Sequence, residues 1–137
     1  MRNMEQQRLI ERLARVFTNF PEVEAVYLFG SWAKGIADSK SDIDLALVTN
    51  QSLGSKKLDI LAALTAEGID NVDLVTLDTD DVVLRFEAVS PNCLIYARAG
   101  FDHGSYYSRV IREYFDFQPY LDRQRAAMKR RLAGGQG

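Results

Sequence analysis

Gly30-Ser31-Trp32-Ala33-Lys34-Gly35, followed shortly by Ser41-Asp42-Ile43-Asp44-Leu45, is the stretch on which the reading of this chain turns. It places a sharp turn and a helix start just ahead of a strand bearing two carboxylates. Gly30 has no Cβ, so a phosphate can approach its backbone closely. Ser31 is expected to cap a short helix, whose free N–H groups and dipole favour an anion, and its hydroxyl can donate one more hydrogen bond. Lys34, one turn on, supplies a positive charge to the same anion. Residues two apart on a strand share a face. Asp42 and Asp44 therefore point one way, while Ile43 and Leu45 point into the core. Paired carboxylates repel unless a cation lies between them, and oxygen ligands of this kind suit Mg²⁺ or Mn²⁺.

Outward from this stretch, strands and helices alternate. An apolar stripe of Leu9, Ile10, Leu13, Val16 and Phe17 predicts a helix from Glu5 to Thr18. Ala25 to Phe29 reads as a buried strand, Ile36 to Ser41 as a polar loop, and Asp42 to Val48 as a second strand. Ser55 opens a helix with Leu58, Leu61 and Thr65 on one face, stopped by Gly68. Val72 to Leu77 is a third strand. Asp78 or Asp80 is expected to cap a helix carrying Val82, Phe86 and Val89, ended by Pro91. Cys93 to Tyr96 makes a fourth strand. Ser105 is expected to cap a long helix that Pro119 should kink. The pattern predicts an α/β (α+β) fold, a mixed sheet flanked by helices with a long C-terminal helix.

Asp73 stands in the middle of the third predicted strand. A carboxylate inside such a run is costly if buried without a partner, so it is expected to face the cleft of Asp42 and Asp44. Three carboxylates would serve a two-metal site, with one ion activating an attacking hydroxyl and the other stabilising a departing pyrophosphate.

The 137 residues, 47% hydrophobic and 26% charged, suit a single domain over residues 1–133, with 134–137 as a flexible tail. That size leaves no room for a large second domain enclosing a substrate. No apolar run is long enough to span a membrane, and the N-terminus lacks the apolar stretch of a signal peptide. One cysteine and one histidine argue against a disulfide and a His/Cys zinc site. A cytoplasmic address is expected. The net charge is −2, but Arg123 to Arg131 carries five basic residues and no acidic one. No broad basic face is evident, so direct nucleic-acid binding is not expected.

Gly30-Ser31, ten residues, then Asp42-Ile43-Asp44, with Asp73 on the strand after the next helix, resembles the DNA polymerase β nucleotidyltransferase superfamily. The likeness extends over nearly the whole chain to the minimal nucleotidyltransferases, the MntA-type antitoxins of HEPN/MNT toxin–antitoxin pairs. Arg112-Glu113-Tyr114-Phe115-Asp116-Phe117 looks like their C-terminal helix. The resemblance implies Asp42, Asp44 and Asp73 as catalytic metal ligands and Gly30, Ser31 and Lys34 as the nucleotide-binding residues. It implies Mg²⁺ or Mn²⁺ as cofactor and ATP as substrate. The expected reaction moves AMP onto a tyrosine of a cognate HEPN RNase toxin and silences it. The alternatives are an antitoxin that acts by contact alone, and a nucleotidyltransferase acting on a small molecule of the aminoglycoside type. Trp32 departs from the basic or small residues common in this turn and is expected to pack or meet a partner. Arg98 and His103 are spaced as in the RNase motif of HEPN toxins. Here they flank a turn at Gly100 rather than lie on one helix, and no RNase role is assigned.

Overall fold

The computed structural model describes residues 3–38 and 40–134. Ser39, within the expected polar loop, and Gly135 to Gly137 of the expected tail lie outside them; Gly134 closes the last helix. Among the described residues nine elements follow one another: α1 (Met4–Phe17), β1 (Val23–Phe29), α2 (Gly30–Ala33), β2 (Ile43–Thr49), α3 (Lys56–Ala66), β3 (Val72–Thr76), α4 (Val82–Val89), β4 (Leu94–Ala97) and α5 (His103–Gly134). The sheet order is β3-β2-β1-β4. β1 runs antiparallel to β2 and β4, and β2 parallel to β3, so the sheet is mixed as expected.

Strand alternation gives the sheet two apolar faces. Leu28, Ile43, Leu45, Leu47, Leu74 and Ile95 join Leu13 and Phe17 of α1 and Ile60 and Leu64 of α3 in one core. Ala25, Tyr27, Ala46 and Val48 join Ala88 and Val89 of α4 and Val110 of α5 in the other. All five residues of the α1 stripe are buried. The helix opens on a capping box: Gln6 N donates to Asn3 Oδ1 at 2.7 Å, and Asn3 N donates to Gln6 Oε1 at 3.2 Å.

The docking face of α3 and the caps of three helices differ from expectation. The side of α3 that docks is set by Ile60 and Leu64, whereas Leu58 is 69% exposed. Several leucines spread around this helix, and the sheet decides which of them it covers. The cap of α4 is Asp81, whose Oδ1 accepts from Leu84 N at 3.0 Å, not Asp78 or Asp80. Asp102 precedes α5 and accepts from Ser105 N and Ser105 Oγ, so Ser105 is the partner of the cap rather than the cap. α2 begins at Gly30 behind Phe29 with no side-chain capping bond, which leaves Ser31 inside the helix. α5 continues past Pro119 as a single helix of 32 residues.

Candidate active site

The site lies where β1 ends and β2 and β3 begin. In the parallel pairing Asp44 stands opposite Asp73, and in the antiparallel one opposite Phe29. β2 starts at Ile43, so Asp42 immediately precedes it. Since Ala46 faces the α4 and α5 side, Asp44 and Asp42 face that side too, and Asp73 is carried there by register. Asp42 and Asp73 are exposed and Asp44 is half-buried. Burial first, then the Asp73 and Asp42 charges, hold the Asp44 carboxyl above the usual carboxylate range.

Gly30 meets this carboxylate directly. Its φ is +69°, in the left-handed region. A Cβ there would collide with Asp44 Oδ2 and lie 3.2 Å from Asp44 Cγ. The glycine thus serves both the backbone turn and the space above the carboxylate. α2 spans only four residues, too short for a substantial helix dipole. Any anion held here must rely on individual N–H groups, the Ser31 hydroxyl and Lys34. Lys34 is exposed at the C-terminal end of α2, where its N–H donates to Gly30 O at 3.3 Å.

Among the described residues, no group of three His, Cys, Asp or Glu side chains is arranged to hold a metal ion as it stands. The donor chemistry still fits one. Three carboxylates come from adjacent strand starts, one of them destabilised in its charged form by the other two. Gathering them on a hard cation takes side-chain rotation, which exposed Asp42 and Asp73 are free to make.

Several supporting residues were not foreseen. Gln6 is buried and donates from Nε2 to Trp32 O at 2.6 Å and Ala33 O at 3.2 Å, fastening the end of α2 to α1. Asn71 Nδ2 donates to Ser41 O at 2.6 Å and Trp32 Nε1 to the same carbonyl at 3.4 Å, so the segment leading into Asp42 is held from two sides. Trp32 also packs against the first core, as its packing alternative had it. A cleft of about 640 Å³ opens beside Trp32, Arg8 and Arg12, with Ile43 and Asn71 in its wall; among the described residues, no site carboxylate lines it. Arg98 donates to Pro21 O at 2.9 Å while His103 bonds Tyr27 and Asn92, so the two serve separate contacts.

Residues 11–100 match the family described as Polymerase beta, Nucleotidyltransferase. The chain is 32% identical over 91 residues to the protein adenylyltransferase MntA of Shewanella oneidensis, covering 66% of this chain and 63% of that protein. It therefore spans less than two thirds of that relative's length. A crystallised toxin–antitoxin with AMP-PNP superposes with TM-score 0.69 at 22% identity, over 90% of this chain and 98% of that one. A tri-AMPylated Shewanella oneidensis HEPN toxin in complex with its MNT antitoxin gives 0.61 at 23% identity, over 97% and 99%. At such identities the two structures speak for the fold. With the family match spanning 90 residues of the chain, this chain belongs to the Polymerase beta nucleotidyltransferase family.

Proposed function

We propose that this protein is a cytoplasmic antitoxin that transfers AMP from ATP to a tyrosine hydroxyl of a cognate HEPN-type toxin. The observation that carries the reading is the pairing of Asp44 with Asp73 beneath Gly30, whose missing Cβ leaves room at the Asp44 carboxylate. The MntA relative is named a protein adenylyltransferase, and a HEPN toxin bearing AMP groups has been crystallised with an MNT antitoxin.

Asp42, Asp44 and Asp73 would hold two divalent cations, Mg²⁺ or Mn²⁺. When bound, these supply the charge that activates the hydroxyl and stabilises the leaving pyrophosphate. Gly30 and Ser31 offer donors to the triphosphate beside Asp44, and Lys34 neutralises its far end. The acceptor oxygen forms a bond to the α-phosphorus, the bond from that phosphorus to the bridging oxygen breaks, and pyrophosphate departs. Asp73, the exposed carboxylate on β3, would take the hydroxyl proton.

A protein acceptor suits the openness of the site. A small acceptor must be gripped on several sides to hold an attack geometry, whereas a docked protein completes the site with its own surface. α5 offers such a docking element: Phe115 and Tyr120 are exposed, and the basic residues from Arg123 to Arg131 lie beyond them. Tyr114, in contrast, is stacked on Phe86 at 3.8 Å. The test mixes this protein, Mg²⁺ and ATP with the protein encoded beside it and weighs the latter intact. A gain of one or more AMP units supports the reading. No gain, with neutralisation by an Asp42→Ala/Asp44→Ala variant, makes it a contact antitoxin instead.

A further inference from the structure

A second cleft, of about 440 Å³, lies beyond the C-terminal end of α2. Its walls include Asn3 from the start of α1, Lys34 and Gly35 after α2, and Asn92 from the turn between α4 and β4. Among the described residues, no aspartate or glutamate lines it.

The two asparagines share an arrangement. Asn3 Oδ1 is engaged by the Gln6 N–H at 2.7 Å. Its Nδ2 then faces Gly35, 3.6 Å from where a Cβ on that glycine would stand. Asn92 Oδ1 is engaged by His103 Nε2 at 2.9 Å, and His103 Nδ1 meets the Tyr27 hydroxyl at 2.8 Å. A carbonyl oxygen can only accept, so Nε2 carries the proton. Nδ1 is then the ring nitrogen that faces the Tyr27 hydroxyl. Tyr27 is fully buried, and burial pushes its hydroxyl well above the usual tyrosine range, so it stays a donor. The chain Tyr27 to His103 to Asn92 thus fixes which end of the Asn92 amide is tied back. Neither Asn3 Nδ2 nor Asn92 Nδ2 donates to an acceptor among the described residues. Asn92 also has φ +60°, a conformation that asparagine tolerates better than most side chains.

Among the described residues, each amide therefore has its acceptor engaged internally and its donor left over, beside a lysine, with no acid in the cleft wall. Such a set recognises an anion rich in acceptor oxygens. α2 leads from Gly30, at the carboxylates, to this cleft, a rise of about 6 Å over four residues. We infer that this cleft receives the terminal phosphates of the nucleoside triphosphate, with Asn3 and Asn92 as binding residues and His103 as the residue that positions Asn92. The inference rests on the nucleotidyltransferase reading and extends its substrate site away from the metal ligands. It also gives a role to the one histidine of the chain.

The test compares ATP with AMP, which lacks the terminal phosphates, by calorimetric titration in the presence of Mg²⁺. Asn3→Asp keeps a residue that caps α1 equally well. Asn92→Asp keeps one that tolerates positive φ and still accepts from His103. Each replaces a donor with a negative charge. Asn92→Gly removes the amide while relieving the backbone, and thermal melts of all three check the fold. Each variant should bind ATP about tenfold or more weakly, the loss of a hydrogen bond to a charged group, with AMP affinity within about twofold of wild type. Unchanged ATP affinity in the aspartate variants overturns the inference while leaving the transferase reading standing. Equal weakening of ATP and AMP overturns it too, since the effect then has no link to the terminal phosphates. Wild-type protein that binds no ATP removes the nucleotide reading itself, and this inference with it.

Discussion

A methyl group at Gly30 separates the two tasks that residue performs. Gly30→Ala places a side chain at φ +69°, which costs about 1–2 kcal/mol for the left-handed backbone. Part of this, about 0.4–1 kcal/mol, is offset by a stiffer unfolded chain. The net loss of about 1 kcal/mol should lower the melting temperature by roughly 3–5 °C for a domain of this size. The methyl also overlaps Asp44 Oδ2 and comes within 3.2 Å of Asp44 Cγ, so the carboxylate must withdraw by about an ångström. The fold tolerates that rotation, but the reaction does not, because a misplacement of this order costs about 10²-fold in rate. Gly54→Ala provides the control. Its φ is +53° and nothing lies within 4 Å of the added methyl, so it carries the backbone cost without the collision. The assay is release of pyrophosphate from ATP in the presence of acceptor, with melting followed in parallel. Both variants should melt a few degrees lower, and only Gly30→Ala should lose turnover. Equal turnover in the two would refute the placement of Asp44 at the reacting phosphorus.

Other outcomes follow from single contacts. Asp44→Asn removes a charge disfavoured by burial and by Asp73 and Asp42, so without metal at neutral pH the variant should melt above wild type, and added Mg²⁺ should raise its melting temperature less. Lys34→Ala should weaken ATP binding while leaving Mg²⁺ binding by the carboxylates intact, as titration of each ligand would show. Asp102 is held below the usual carboxylate range by hydrogen bonds from the Ser105 N–H and hydroxyl. A depressed carboxylate stabilises the native state above its unfolded value and loses that contribution as pH falls through the folded one. Asp102→Ala should therefore flatten the decline of melting temperature below about pH 4.

The carboxylate set was legible because it depends on the simplest rule available, alternation along a strand. Asp42 and Asp44 share a face for that reason, and Asp73 joins them because the parallel register pairs it with Asp44. The α1 stripe was legible for the same kind of reason, five apolar residues on one narrow face. Caps were less so. Asp78, Asp80 and Asp81 all precede α4, and only backbone geometry decides that Asp81 reaches the Leu84 N–H. Asp102 displaced Ser105 at α5 in the same way. Least legible were the residues joined across long stretches of chain. Gln6 meets the carbonyl of Trp32 and His103 meets Tyr27, and no local pattern announces either contact. The asparagines at positions 3 and 92 read as ordinary cap and turn residues until the fold brings both to the end of α2.

The central claim is that the acidic strand starts move a nucleoside monophosphate rather than a phosphate or nothing. ATP labelled at the α-phosphorus and ATP labelled at the γ-phosphorus, each given with Mg²⁺ to the protein and its neighbouring gene product, separate these directly. The account predicts that the α label appears on the partner, that the γ label leaves as pyrophosphate, and that Asp42→Ala and Asp44→Ala each abolish the α labelling. Transfer of the γ label, or α labelling that survives both substitutions, would contradict it.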